Sequence, residues 1–281
     1  MSTKSVDIYE RKVAILTEDL RLWILSQPHL NSRIEDEFLR GFLRCCQYDL
    51  SATKIRLDSF YTLKTGIPSV MTERNVNQKL LDICQIGIGI YLPVSLKDRD
   101  FRINFSKYPS RIHNNSMVFK YSDLIKLFFM SVEVNMIESR NLESQQAAII
   151  YVIDMKEATF KESLQIDFAF SKKVLQFTQQ GLPLQLDEVH FINVSRYFIC
   201  ILRILCSFLN VDLKKKLFIH NSMDSFYKYI PQKFLPAEYG GKNGNMKTCI
   251  RKQIENLLKF EQYFEEDDIY GVNESLRRKI Q

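Results

Sequence analysis

The chain has 281 residues, of which 46% are hydrophobic and 26% are charged, and its formal net charge is +6. A chain of this length and composition can bury a large core, which excludes intrinsic disorder as its main state. The positive charge fits an anionic membrane surface or nucleic acid, but it fits an ordinary cytosolic protein at least as well.

The first ten residues carry charges and are followed by no apolar stretch, so no signal peptide is expected and the protein is predicted to be cytoplasmic. The cysteines show no C-x-x-C spacing and are expected to stay reduced, as small core residues. They are Cys45, Cys46, Cys84, Cys200, Cys206 and Cys249.

Helical periodicity dominates residues 19–60, where apolar side chains recur at steps of three and four. Gln27-Pro28 separates the first helix from the second. A third helix is expected to begin after Ser51, whose hydroxyl can cap it. Its inner side is expected to carry Ile55, Phe60, Tyr61 and Leu63. The pattern therefore predicts a small helical module that ends near Ile67-Pro68.

Strand and helix patterns alternate through the middle of the chain. Strands are predicted within residues 87–107, 147–153, 182–192 and 217–220, and helices at 122–137 and 159–179. The second strand is a continuous apolar run, which is typical of a strand covered on both faces. This alternation predicts an α/β domain with a mostly parallel sheet.

Residues 197–209 form a helix that is apolar nearly all the way round, interrupted by Arg203 and Ser207. The segment is too short to span a bilayer, which needs about 20 residues. Two interpretations follow from the pattern alone: a buried core helix, or a helix with one face on a lipid and the other able to meet a membrane. A last helix with a charged face is predicted at residues 246–264, after a glycine-rich turn.

Motifs for catalysis, metals and nucleotides are absent from the sequence. There is no P-loop, no complete dinucleotide fingerprint and no G-x-S-x-G elbow, so neither an enzyme nor a nucleotide cofactor is expected. His29, His113, His190 and His220 lie far apart in sequence and predict no metal site. The acidic run at residues 265–268 is interpreted as a solvated face. No nucleic-acid-binding motif accompanies the positive charge.

Four motifs in a fixed order carry a family resemblance. They are Phe38-Leu39-Arg40-Gly41-Phe42-Leu43-Arg44 with Tyr48-Asp49-Leu50, then Val152-Ile153-Asp154, then Val189-His190-Phe191-Ile192-Asn193, and finally Phe234-Leu235-Pro236-Ala237-Glu238-Tyr239-Gly240-Gly241. With these motifs the chain resembles the CRAL-TRIO lipid-transfer proteins, and within them the alpha-tocopherol transfer protein and retinaldehyde-binding protein branch. The resemblance runs from about Asp19 to Phe264.

The resemblance implies an N-terminal three-helix module (residues 1–75), a lipid-binding α/β domain (76–245) and a C-terminal helix and tail (246–281). The sheet would form the floor of an apolar cavity, with residues 197–209 as a mobile lid. The implied cavity lining is Ile125, Phe128, Phe129, Val132, Ile149, Ile153, Ile166, Val174, Phe177, Leu182, Leu184, Leu186 and Val189. The implied lid residues are Phe198, Ile201, Leu202 and Leu205.

Two positions bear on the ligand. The tocopherol branch has small hydroxyl residues where this chain has Phe128 and Val132, so a hydroxyl-bearing head group would lose polar partners there. An unsatisfied buried hydroxyl costs about 1 to 3 kcal/mol. We therefore expect tocopherol itself not to be the preferred ligand. Glu157 and Ala158 also depart from the glycine and aromatic residue that relatives often have beside the cavity.

The same branch binds phosphatidylinositol bisphosphate on the target membrane through a basic patch. The positions that match it here include Cys46, Gln185, Asp187 and Asp212, none of which is basic. Lys216 keeps its charge, and Lys214 and Lys215 lie beside it. Three lysines near the lid predict a salt-sensitive attraction to anionic membranes, although they fit a solvated helix end equally well.

The sequence thus predicts a monomeric cytoplasmic protein that binds a small hydrophobic lipid, shields it from water and releases it during transient, peripheral contact with a membrane. The lipid class is retinoid, carotenoid, tocopherol-like or sterol-like. The alternative is a lipid-sensing regulatory adaptor that binds a protein partner through its N-terminal helices.

Overall fold

The fold is seen in a computed structural model that describes residues 3–93, 101–108, 120–138, 148–164 and 166–278. His113 lies outside these residues. The N-terminal part contains α1 (Thr3–Leu25), β1 (Leu30–Asn31), α2 (Asp36–Cys45), α3 (Leu50–Lys64), α4 (Pro68–Met71) and α5 (Gln78–Cys84). The predicted helical module is confirmed, and its first helix begins well before residue 19.

Two details of α3 differ from the sequence-based expectation. The cap is Asp49, whose side chain accepts a hydrogen bond from the backbone N–H of Ala52 at 2.9 Å, so the prediction of Ser51 as cap is wrong. Ile55 is exposed, while Phe60 and Tyr61 are buried. Because α3 begins one residue before Ser51, a cap placed by residue type alone missed the true start of the helix.

The central sheet has five strands in the order β2-β3-β4-β5-β6. They are β2 (Ile90–Tyr91), β3 (Phe101–Lys107), β4 (Ala148–Asp154), β5 (Leu186–Ile192) and β6 (Leu217–Ile219). Only the β2–β3 pair among these strands is antiparallel. The mostly parallel sheet is therefore confirmed. Side chains alternate across it, so Tyr151 lies between Asn104 and Val189 on one face, while Ile150 and Val152 face the other.

Helices cover both faces of the sheet, as parallel sheets require. The helices that follow α5 in the chain are α6 (Tyr121–Glu138), α7 (Phe160–Ser163), α8 (Phe168–Gln180), α9 (Arg196–Ser207), α10 (Val211–Lys215), α11 (Met223–Tyr227), α12 (Met246–Lys259) and α13 (Glu261–Glu265). The helices predicted at 159–179 and 246–264 are each split in two. The first split falls before Asp167, whose side chain caps α8 by accepting from Phe170 N–H.

Near its C-terminal end the described chain returns to the helical module. β7 (Gly271–Val272) pairs antiparallel with β1. The glycine-rich turn has a steric cause: a Cβ at Gly241 would overlap the carbonyl oxygen of Leu235, and Gly240 has φ of 73°. None of the helices in the described ranges is both long and apolar enough to cross a membrane.

Phenylalanine rings join the helical module to the sheet domain. Phe38, Phe42 and Phe60 of the module share one core with Phe129 on α6 and Phe177 on α8. The ring of Phe177 lies 5.4 Å from that of Phe60 and 5.1 Å from that of Phe129. The module therefore supports the two helices that stand over the sheet.

A buried ion cluster adds a second connection between the parts of the chain. Arg74 donates to Glu133 on α6 and lies 2.7 Å from Asp267, which also accepts from Lys64 Nζ at 2.6 Å. Burial alone would raise the pKa of Asp267, but Arg74 and Lys64 hold it below its ordinary value. The interpretation of residues 265–268 as a wholly solvated face is wrong for Asp267, because its partners lie elsewhere in the chain.

The cysteines are only partly core residues. Cys84 and Cys249 are buried, whereas Cys200 is exposed and Cys45, Cys46 and Cys206 are half-buried. Cys200 lies on α9, so its exposure reflects the two-sided position of that helix.

Candidate functional site

A cavity of about 300 Å³ lies between the sheet and the helices α6, α8 and α9. Its floor is the face of β4 and β5 that carries Ile153 and Val189. Nine of the implied lining residues stand on its wall: Ile125, Phe128, Phe129, Ile153, Ile166, Val174, Leu184, Leu186 and Val189. The volume is at the lower end of the range of small-molecule sites, which is about 300 to 1,000 Å³.

Four of the implied lining residues lie elsewhere. Val132, Phe177 and Leu182 belong to the core shared with the helical module. Val132 and Phe177 lie there because α6 and α8 each have two apolar sides, one toward the cavity and one toward α2 and α3, and Leu182 follows the end of α8. Ile149 is buried near the start of β4, next to an irregularity in the pairing with β5.

Helix α9 forms one wall of the cavity. Phe198, Ile201, Leu202 and Leu205 all line it, and Phe198 and Leu202 are buried. The opposite side of the helix exposes Tyr197, Cys200, Arg203 and Ile204. The apolar surface that the sequence shows all round this helix is thus divided between the cavity and solvent.

Exposed apolar side chains continue from α9 onto its neighbours. Helix α7 packs against α9, and the ring of Phe160 lies 4.9 Å from that of Tyr197. Leu164 follows α7, and Val211 begins α10. We call these exposed residues, together with Ile204, the outer apolar surface: Phe160, Leu164, Tyr197, Ile204 and Val211. An apolar patch of this kind marks an interaction site more often than an ordinary surface.

The three lysines after α9 differ in their surroundings. Lys214 and Lys215 are exposed, and Lys215 lies 3.7 Å from Asp212 in a solvated ion pair. Lys216 is half-buried and its Nζ donates to the carbonyl oxygen of Leu186 at 2.7 Å. Only Lys214 and Lys215 therefore present their charges to solvent, while Lys216 ties the end of α10 to β5.

Polar residues also line the cavity, and sequence reasoning missed them. The Ser171 hydroxyl donates to the carbonyl oxygen of Asp167 and the Thr178 hydroxyl to that of Val174, which leaves neither hydroxyl a proton for a ligand. The hydroxyl groups of Tyr151 and Tyr91 are buried close together, and neither has a hydrogen-bond partner of good geometry within the described part of the chain. Burial, together with the neighbouring Tyr91, raises the pKa of Tyr151 well above the ordinary value. The period-2 pattern of β4 places Tyr151 on the same face as Ile153, which is the signal that would have identified it.

The opposite face of the sheet carries the histidine pair. His190 Nδ1 lies 2.9 Å from His220 Nε2, and Glu188 accepts at the other ring nitrogen of His190. Burial, assisted by His190, lowers the pKa of His220 to about 4. Both rings pack against Phe226, away from the cavity. No group of three or more metal-ligating side chains occurs among the residues that the structure describes.

Fold and cavity together define an α/β protein with an apolar internal chamber, one wall of which is a helix with an exposed apolar side. Comparison with known families agrees. A family model described as the CRAL/TRIO domain matches residues 96–241, and one described as the Pinta-like UBA domain matches residues 10–81. The chain belongs to the CRAL/TRIO domain family, whose members bind and transfer lipids.

Individual relatives are distant. Alpha-tocopherol transfer protein-like from Homo sapiens is 26% identical over 223 residues, which cover 79% of this chain and 63% of the relative. Clavesin-1 from Rattus norvegicus is 28% identical over 242 residues, covering 80% and 62% respectively. The chain therefore spans less than two thirds of the length of these relatives. The crystal structure of Sfh5 is similar in fold, with a TM-score of 0.55 at 14% identity, covering 91% of this chain and 98% of that one.

Proposed function

We propose that this chain binds one small hydrophobic lipid in the cavity and transfers it between membranes. The observation that carries the proposal is the position of α9, with Phe198 and Leu202 against the cavity and Tyr197 and Ile204 exposed. Burial of apolar surface stabilises a bound lipid by roughly 25 cal/mol per Å² before the costs of association. A chamber of this kind therefore holds its cargo without chemistry.

Release requires contact between α9 and a membrane. The outer apolar surface can enter the interfacial region of a bilayer, where exposed aromatic and aliphatic side chains are stabilised. Lys214 and Lys215 lie on α10, three and four residues beyond Val211, and would draw this surface to anionic lipids. Movement of α9 toward the bilayer then opens the cavity at the membrane, in a cytoplasmic protein that associates only transiently.

The cargo is proposed to be a retinoid, carotenoid, tocopherol-like or sterol-like lipid. Phe128 stands on the cavity wall and its ring lies 5.4 Å from that of Tyr151, which narrows this end of the chamber. Native mass spectrometry of the protein purified from its own tissue would identify the lipid that it retains. A lipid of one of these classes at one molecule per chain is the expected result.

Two substitutions on α9 test the mechanism as a matched pair. Leu202→Asn changes the cavity side and should lower lipid content, whereas Ile204→Asn changes the exposed side and should lower vesicle binding and transfer at unchanged lipid content. Lipid content is measured by extraction, and transfer by movement of a fluorescent lipid between vesicles. Equal effects of the two substitutions on both readouts would contradict the assignment of two faces.

Phosphoinositide preference is tested separately. Vesicles that contain phosphatidylinositol bisphosphate are compared with phosphatidylserine vesicles of equal total charge. Stronger binding to the former supports specific docking, and equal binding supports docking by charge alone. Ligand-dependent capture of one protein partner, with no transfer between vesicles, would instead favour the regulatory adaptor.

A further inference from the structure

Helix α1 carries a row of exposed apolar side chains that its own module does not use. Ile8, Ile15 and Leu22 are exposed to 70%, 62% and 56% respectively. They recur every seven residues, so they follow one line along a helix. The other side of α1 holds Val13 and Leu20, which are buried in the module. The helix therefore has two apolar faces, of which one is covered.

Charged residues flank this row in a symmetrical arrangement. Lys12 and Asp19 lie along one edge of the row, and Arg11 and Glu18 lie along the other, all four exposed. On both edges the basic residue is nearer the N-terminus and the acidic residue nearer the C-terminus. Ile15 is the midpoint of the apolar row. On each edge, the point midway between the basic and the acidic residue also lies within one residue of Ile15.

We infer that α1 associates with α1 of a second copy of this chain in an antiparallel pair centred on Ile15. In that arrangement Ile8 meets the partner's Leu22, and Ile15 meets the partner's Ile15. Lys12 faces the partner's Asp19, and Arg11 faces the partner's Glu18. The two-fold axis repeats each contact, so the interface contains four ion pairs around an apolar row.

The charges beside the row favour a second copy of this chain over a membrane, and an antiparallel over a parallel pair of helices. A parallel pair would place Arg11 against the partner's Lys12 and Glu18 against the partner's Asp19, so every charged pair would be of like sign, which is unfavourable. An anionic membrane gains little from an edge that carries as many acids as bases. Glu18 also contacts Arg21 of its own helix, and this ion pair is solvated, so Glu18 can serve both partners.

The contact is of modest size. Residues 8 to 22 extend for about 21 Å along the helix at 1.5 Å per residue. A single helix pair of this length buries an area of about 1,000 Å², at the low end of specific interfaces. The pair is therefore a reversible dimer in the micromolar range, and the chain is monomeric at lower concentration.

Charge-reversal variants of the full chain provide the test, with mass in solution measured by sedimentation from about 1 to about 100 µM. Wild type is expected to shift from monomer to dimer across this range. R11E/K12E makes all four flanking residues acidic and E18K/D19K makes them all basic, so each variant alone should stay monomeric. An equal mixture of the two should dimerise at least as well as wild type, which no merely misfolded variant could do.

A second measurement uses the symmetry axis. Ile15→Cys places two thiols opposite each other, so mild oxidation should give a covalent dimer that Ile55→Cys, exposed to 70% on α3, does not give. A wild-type chain that stays monomeric up to about 100 µM would overturn the inference. So would a mixture of the two charge-reversed variants that remains monomeric, or equal cross-linking at positions 15 and 55.

Discussion

Single buried charges hold distant parts of this chain together. Glu133 is fully buried on α6, and its carboxylate accepts hydrogen bonds from Arg74 and from the hydroxyl of Tyr263. Glu133→Gln keeps the shape of the side chain but leaves the Arg74 charge with less compensation. We expect the free energy of unfolding to fall by about 3 to 5 kcal/mol, as is usual when a buried pair loses one partner.

Urea unfolding measures this change, and Glu255→Gln is the matched control. Glu255 pairs with Arg251 on α12, where both side chains are well exposed, so its loss should cost no more than about 0.5 kcal/mol. Similar losses from the two substitutions would show that the buried cluster is not the stabilising feature described here.

The same cluster shows why sequence patterns failed at the residue scale. The acidic run at residues 265–268 has the composition of a solvated helix face, yet Asp267 is buried against Lys64, 203 residues away in the chain. The periodic patterns of helices and strands span only a few residues, so they cannot predict an ion-pair partner at that separation. Tyr151 is the opposite case, since its position in β4 already placed it on the cavity face.

At the scale of an element, α6 directs to different places two residues that the family resemblance assigns to the cavity. Phe128 lines the cavity, while Val132, one turn later, belongs to the core shared with the helical module. Phe128→Ser should enlarge the chamber. The steric cost of fitting a bulkier ligand such as tocopherol beside the Phe128 ring, about 1 to 3 kcal/mol, would then be removed. Tocopherol affinity is then expected to rise about tenfold or more.

Val132→Ser supplies the comparison for this prediction. It removes apolar volume from the core and should lower stability by about 1 to 3 kcal/mol without a gain in tocopherol binding. Titration with tocopherol, followed by quenching of its fluorescence, measures the affinity of both variants. Tight tocopherol binding by the unchanged protein would contradict the role given to Phe128.

Helix α10 supports a second prediction at this scale. Lys214→Ala with Lys215→Ala removes two exposed charges worth about 1 kcal/mol each at an anionic surface, so binding to anionic vesicles at low salt should fall about 30-fold. Lys216→Ala instead removes the hydrogen bond to Leu186 and should mainly reduce stability. Vesicle co-sedimentation and urea unfolding distinguish the two effects.

The control for the lysine pair carries the same loss of charge. Lys247→Ala with Lys252→Ala changes exposed residues of α12, whose buried side packs against the face of the sheet opposite the cavity and against α5 and α6. Vesicle binding should change far less in this variant. An equal loss would mean that only net charge matters and that α10 has no special part in docking.

The elements themselves were largely predictable, and their surroundings were not. Apolar runs at the period of a strand or helix located β4, β5, α6 and α9 to within a few residues. The two-sidedness of α9 could not be predicted from residues 196–207, because apolar side chains cover that helix nearly all round. Its cavity side is decided by Ile153 and Val189 on the sheet beneath, which are distant in sequence.

For the whole molecule, the shared core and the buried ion cluster predict one cooperative unfolding transition. The chain has a single tryptophan, Trp23, on α1 in the helical module. Far-UV circular dichroism follows all helices at once, whereas tryptophan fluorescence follows the module alone. Because Phe60, Phe129 and Phe177 join the module to the helices over the cavity, both signals should change at the same urea concentration.

Lipid in the cavity should then stabilise a module that it does not touch. A ligand at 100 times its dissociation constant raises the free energy of unfolding by about 2.7 kcal/mol, and in one cooperative unit this gain extends to Trp23. Addition of the retained lipid should therefore move the fluorescence transition as far as the circular dichroism transition. A Trp23 signal that stays in place while the other shifts would show that the module unfolds on its own, and that the aromatic core between them is not the connection inferred here.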